Sequence, residues 1–187
     1  MMAGLSSGQV VVWILFAVLL LAIGASLGLG YAKASSFVRR KPHAADIRFA
    51  RDMVAHHEEL ARLTRLATSQ TRNPVVLRFA ADFEAQLFER LGRMRGWLSL
   101  WGDPERLGDT AFDMADEAAR LRTFTGPRFD VAFARLVIGL AEDGIDIAQA
   151  TVDSASLVVV RDLADDIEAS LDEAVQALSP LATARRA

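Results

Sequence analysis

The chain has 187 residues, room for one ordinary domain and an appendage, which excludes any architecture that needs two full catalytic domains. With no cysteine, disulfides, thiolate zinc sites, iron–sulfur clusters and cysteine nucleophiles are all excluded, and three histidines limit other metal chemistry. The formal charge is −3 and the mean hydropathy of +0.22 is high for a soluble protein but low for a polytopic one, so the apolar excess must be concentrated in one place.

It is concentrated at the front. Val10 to Ala32 is a run of 23 residues without a charge. As a helix it would span ~34 Å, enough to cross a hydrocarbon core. Trp13 and Tyr31 lie near its two ends, where amphipathic rings favour the headgroup region. A cleaved signal peptide is the rival reading, because Ala32-Lys33-Ala34 resembles a cleavage site. Against it, the tail from Met1 to Gln9 carries no Lys or Arg, and the apolar run exceeds a usual signal core. The expectation is a single retained transmembrane helix at 10–32, then a basic juxtamembrane linker at 33–45. Gly24 and Gly28 form a small-xxx-small pair through which two spans could pack as a homodimer. Lys33, Arg39, Arg40 and Lys41 all follow the span, and the positive-inside rule then places the body in the cytoplasm.

No acid precedes Asp46, so removing those four cations from 21 leaves 17 against 24 acids, about −7 for the body. Cations and acids are interleaved along every segment, which argues against a nucleic-acid partner.

Four long helices are predicted in the body, over 46–180. The first opens at Asp46 as N-cap and carries Phe49, Met53, His56, Leu60, Leu63 and Ala67 on one stripe, with His57 at its edge. It ends before Asn73-Pro74, which opens the second helix as N-cap and first helical residue. That stripe reads Val76, Ala80, Phe83, Leu87, Arg90, Met94, Trp97 and Trp101, closed by Gly102-Asp103-Pro104. A connector over 103–127 carries Phe112, Met114 and Leu121 and stops at Gly126-Pro127. The third long helix presents Phe133, Val137, Leu140, Gly144 and Ile147, and the fourth Leu163, Ile167, Leu171, Ala174 and Leu178. Amphipathic helices of this length bury their stripes best as a four-helix bundle.

The two halves repeat. Asp46-x-x-Phe49 and Asp130-x-x-Phe133 stand 84 residues apart, as do Phe79-Ala80-x-x-Phe83 and Leu163-Ala164-x-x-Ile167. A helical hairpin used twice, neither copy able to bury its face alone, gives such a repeat its physical sense.

These residues resemble domain-of-unknown-function family 305. Asp46, Phe49, Met53, His56 and His57 fit its Asp-x-x-Phe, Met and His-His pattern. A later signature is met by Phe79, Ala80, Phe83, Met94, Trp97, Leu98, Trp101 and Gly102, and the second copy is opened by Gly126, Phe129, Asp130 and Phe133. The second copy is degenerate: Leu140 and Ala141 stand where the family repeats its His-His pair. The Gln-x-x-Glu pattern of the second and fourth helices becomes Leu87 and Arg90, then Leu171 and Ala174. Glu59 and Leu60 replace Gly and Ala after the first His pair, and Leu63 replaces a Met. The resemblance implies a ferritin-like fold, a membrane-anchored bundle on the extracytoplasmic side, against the charge rule, and copper handling through His and Met ligands.

The functional expectation is a metal-binding module without catalysis, copper being the ion implied. His56, His57 and Met53 are the candidate ligands, joined by Met94 or Met114 from neighbouring elements, a His/Met donor set that suits Cu(I). Adjacent helical histidines diverge by ~100°, so a shared ion needs donors from other helices. The alternative is a structural or protein-interaction module, with His56 a core histidine bonded to a carboxylate or carbonyl and the methionines as packing. A ferritin-type di-iron enzyme is not expected, because neither histidine has a Glu three residues before it. Phosphate-loop, nucleophile-elbow and His-Glu-x-x-His motifs are absent from the sequence as well. Arg90 sits on an apolar stripe and needs an acid, for which Glu58, Glu59 or a connector residue is predicted.

Overall fold

The structure, a computed structural model, describes residues 41–103 and 114–183. The apolar run at 10–32, Arg39, Arg40 and Phe112 lie outside the described residues. Among those described, no helix is long and apolar enough to cross a membrane. The fold is all-α, with five helices and no strand among the described residues: α1 (Ala44–Gln70), α2 (Pro74–Leu100), α3 (Ala115–Leu121), α4 (Gly126–Ser154) and α5 (Val158–Ala182). All five belong to the unit that begins at Pro42.

The helix boundaries follow local chemistry. Asn73 accepts from the Val75 N–H at 3.0 Å and Pro74 takes the first helical position, so one dipeptide ends the turn and starts α2. Past α2, Gly102 takes φ +76°, and Gly126 takes φ +57° where α4 begins, both conformations that a side chain would strain. Asp46 is not the N-cap of α1. His43 holds that position, and Asp46 is the third helical residue, accepting from the His43 N–H at 2.7 Å.

Asp46 has a larger task as well. Its carboxylate accepts from the N–H groups of Ser156 (2.9 Å) and Leu157 (3.1 Å) and from the Ser156 hydroxyl, all in the turn between α4 and α5. Asp130 does the reciprocal work, accepting from the Thr71 hydroxyl and from Asn73 Nδ2 at 3.1 Å in the turn between α1 and α2. Each repeated aspartate thus ties down the turn of the other hairpin. Burial alone would raise the Asp46 carboxyl, but the bonds from Ser156, His43 and Leu157 outweigh it and hold the group below the usual carboxylate range.

These ties fix the topology. α1 and α2 form one antiparallel hairpin, α4 and α5 the other, and α1 packs antiparallel on α4 between them. Residues related by the 84-residue offset meet across the centre: Ser170 donates to Gln86 Oε1 at 2.8 Å, and His56 reaches the Leu140 carbonyl. The core between the hairpins is filled by Phe49, Met53, Leu60, Leu63, Leu87, Met94, Phe129, Phe133, Leu163, Ile167 and Leu171. Fully burying each such side chain contributes ~1.5–3 kcal/mol. On α2, Val76, Ala80, Phe83, Leu87, Arg90 and Met94 are buried as the stripe predicts. Trp97 and Trp101 are only half-buried, and Leu91 and Leu98 turn inward instead.

Candidate metal centre

His56 and His57 sit midway along α1, one turn after Met53. Both are fully buried. His57 was expected at the edge of the stripe, but α1 is flanked on two sides, by α2 and by α4, so its buried arc is wider than one stripe. His56 faces α4, where its Nε2 lies 2.6 Å from the Leu140 carbonyl oxygen. His57 faces α2 closely enough to feel the charge of Arg90.

The hydrogen bonds assign the tautomers. A carbonyl only accepts, so His56 Nε2 carries the proton and donates. Burial lowers the affinity of this ring for a second proton, against the opposing pull of the Leu140 carbonyl and Asp143, so His56 is neutral and its Nδ1 presents a lone pair. That lone pair faces His57 Nδ1 at 3.3 Å. Two lone pairs would repel, so His57 carries its proton on Nδ1, which also satisfies the bond between this ring and the Met53 carbonyl. His57 Nε2 is therefore unprotonated, and it is buried with no hydrogen-bond partner. Burial pushes this imidazole well below its ordinary range, with His56 and the Arg90 guanidinium adding to the effect, so the orphan nitrogen is held as a free lone pair.

Space around the pair is shared unequally between the two repeats. A Cβ on Gly144 would stand 2.5 Å from His56 Cε1, 2.7 Å from His56 Nε2 and 2.6 Å from Leu171 Cδ1. Gly144 corresponds by the 84-residue offset to Leu60, and Leu140 and Ala141 correspond to His56 and His57. The centre therefore holds the imidazoles of one copy where the other has shed its bulk.

Of the remaining candidates, Met53 and Met94 are fully buried. An ion pair joins Arg95, next to Met94 on α2, to Glu58, next to His57 on α1, while Met53 stands one turn before His57 on α1. Met114 is half-buried at the N-cap of α3, an element that leans on α4 rather than on α1 or α2. Met53, His56 and His57 thus share α1, Met94 lies on the neighbouring α2, and Met114 stands on another element.

Arg90 is buried, and its acid is neither Glu58, which pairs with Arg95, nor Glu59, which pairs with Arg62. The guanidinium instead crosses to α5, donating to Ser170 Oγ at 2.9 Å and the Asp166 main-chain carbonyl at 3.3 Å, with the Asp166 carboxylate at 3.8 Å. The partner sits on the other hairpin, which no local spacing could identify. Burial lowers the Arg90 value, opposed chiefly by Asp166.

Among the described residues, no three His, Cys, Asp or Glu side chains are grouped so as to hold an ion. A hard or borderline dication that wants several nitrogen or oxygen donors therefore does not fit. A soft monocation fits better: one imidazole lone pair is free, buried thioethers stand on the same helix and its neighbour, and a single charge is repelled less by Arg90 than a double one. His56 cannot serve through Nε2 while that nitrogen is bonded to Leu140, so the pair does not act as two equivalent ligands.

The family profile described as "Domain of unknown function (DUF305)" matches residues 46–182. Similar solved structures include two from this family. A DUF305 protein from Streptomyces coelicolor is 26% identical with a TM-score of 0.67, over 73% of this chain and 91% of the other. A DUF305 fragment from Deinococcus radiodurans is 18% identical with a TM-score of 0.70, over 76% and 98%, a likeness of fold alone. Among curated proteins none matches.

Proposed function

The chain belongs to the DUF305 family, and on that premise we propose that it is a membrane-anchored, ferritin-like bundle that binds one soft metal ion, Cu(I), without catalysis. The observation that carries this reading is the buried, unpartnered Nε2 of His57. Leaving such a nitrogen bare costs ~1–3 kcal/mol, so a ligand that satisfies it binds with that much in its favour. His57 would hold the ion, Met53 and Met94 would supply thioether sulfur, and His56 would orient His57 through the Nδ1 contact. Bound Cu(I) would supply a carried or sequestered ion, not a reaction. The anchor is the apolar run at 10–32, and the family resemblance favours the extracytoplasmic side for the bundle.

A competing reading has its own support. His56, Asp46 and Asp130 all spend their polar groups joining the hairpins, and the Arg90 charge opposes any cation at His57. On that reading the chain is a structural or interaction module. A competitive titration of the full chain with a chromophoric Cu(I) probe separates the two. Binding tighter than micromolar, lost in His57→Ala and weakened in Met94→Leu, supports the metal reading. No binding at that level overturns it and leaves the scaffold.

A further inference from the structure

The exposed apolar side chains are not scattered. Among the described residues the large exposed ones are Val75, Phe88, Leu100, Val158 and Val159, and three of them gather at one end of the bundle. Leu100, 70% exposed, closes α2, while Val158 (54%) and Val159 (37%) open α5. Both are tied to the start of α1: Arg51 pairs with Asp103 just past α2, and Asp46 holds the Ser156-Leu157 turn just before α5. The same end carries Trp97 and Trp101, half-buried and stacked with centroids 5.8 Å apart.

We propose that this end of the bundle, Leu100, Val158 and Val159 with the Trp97/Trp101 pair, docks on the lipid interface of the membrane. Its composition is what that interface selects: amphipathic indoles beside short apolar side chains, rather than a broad apolar face of the kind that another protein would bury. Charge does not oppose it: Arg48 and Arg161 are exposed there with Asp153 and Asp162, and Arg39, Arg40 and Lys41 precede α1 in the chain. Chain length agrees also. Eleven residues, 33–43, separate the end of the apolar run from α1, a tether of at most ~36 Å, and α1 begins at this end and not at the opposite one. The inference rests on reading 10–32 as a retained span.

The three tryptophans allow both ideas to be tested in one preparation, the full chain in vesicles of phosphatidylcholine and phosphatidylglycerol, with and without acyl chains brominated near the headgroup. Trp13→Phe leaves Trp97 and Trp101 as reporters; Trp97→Phe/Trp101→Phe leaves Trp13. Bromolipid quenching of the Trp97/Trp101 pair is expected, with most of it lost on adding Leu100→Asp and Val158→Asp but retained with Val75→Asp at the far end. Absence of quenching at the pair overturns the docking. So does shielding of the pair from acrylamide without bromolipid quenching, which would mean that a protein or a second copy covers this end. An unquenched Trp13 strikes instead at the anchor, whatever the pair shows.

Discussion

Placing a methyl group at Gly144 should break the bundle's central contact, while the same change five residues earlier should strengthen it. Gly139 and Gly144 both lie inside α4, but nothing lies within 4 Å of a Cβ at Gly139, whereas one at Gly144 would stand 2.5 Å from His56 Cε1 and 2.6 Å from Leu171 Cδ1. Gly139→Ala therefore gains only helix propensity, ~1 kcal/mol. Gly144→Ala gains the same amount, but Leu171 must change rotamer and the His56 ring must leave its place. Overpacking costs ~1–3 kcal/mol and the lost bond to Leu140 leaves a buried N–H at ~1–3 kcal/mol, so the net is a destabilisation of ~1–5 kcal/mol. For a body of this size ~3 °C of melting temperature accompanies each kcal/mol, so Gly139→Ala should melt a few degrees higher and Gly144→Ala ~3–15 °C lower. The assay is thermal and urea unfolding of the full chain in detergent, followed by circular dichroism. In a His56→Ala background most of the Gly144→Ala cost should vanish, a coupling of ~1–3 kcal/mol. Equal shifts for the two glycine variants, or additivity with His56→Ala, would refute the packing argument.

Acid should destabilise the bundle early. Both imidazoles are held below their ordinary value near 6.5, so the folded state stays neutral where the unfolded chain takes up protons. Stability is then level above pH ~6.5 and falls below it, at up to ~2.7 kcal/mol per pH unit for two sites, until the folded values are reached. Urea midpoints between pH 8 and 5 test this, and a flat profile in that range contradicts the burial of the pair. Asp46→Ala should cost ~2–4 kcal/mol, because it frees one buried and one part-buried N–H group of the opposite turn as well as its own cap; a loss under ~0.5 kcal/mol in urea unfolding would deny the cross-hairpin role. Arg90→Met should be neutral within ~1 kcal/mol or stabilising, since a buried guanidinium gives up much of its attraction to desolvation. Asp166→Ala should also change little, its carboxylate being mostly exposed and 3.8 Å away, and a loss above ~2 kcal/mol in the same assay would show that the ion pair matters more than the Ser170 bond.

Much of the architecture is legible in the chain. Asn73-Pro74 and Gly126-Pro127 mark helix starts because their dihedral and hydrogen-bonding limits are local. The stripes of α2 and α5 identify core residues because each helix has one dominant packed side. The same rule misplaces His57 and overstates Trp97 and Trp101: it assumes a single buried face along a whole helix, whereas α1 has two neighbours and the last turn of α2 leaves both indoles half-buried. Arg90 reads as an anomaly in the sequence, but its partner is 76 to 80 residues away.

The sequence by itself determined the long helices, their order, the duplication at 84 residues and the presence of one imidazole and soft sulfur on inward-facing positions. Those are properties of periodicity and of residue chemistry, which short stretches of chain express without help. Only the tertiary structure decided that the repeated aspartates clasp each other's turns, that Gly144 makes room for His56, and that one nitrogen of His57 is left bare. Each of these depends on which side chain arrives opposite which across the two hairpins, and that register is set by packing between segments that the linear order keeps far apart.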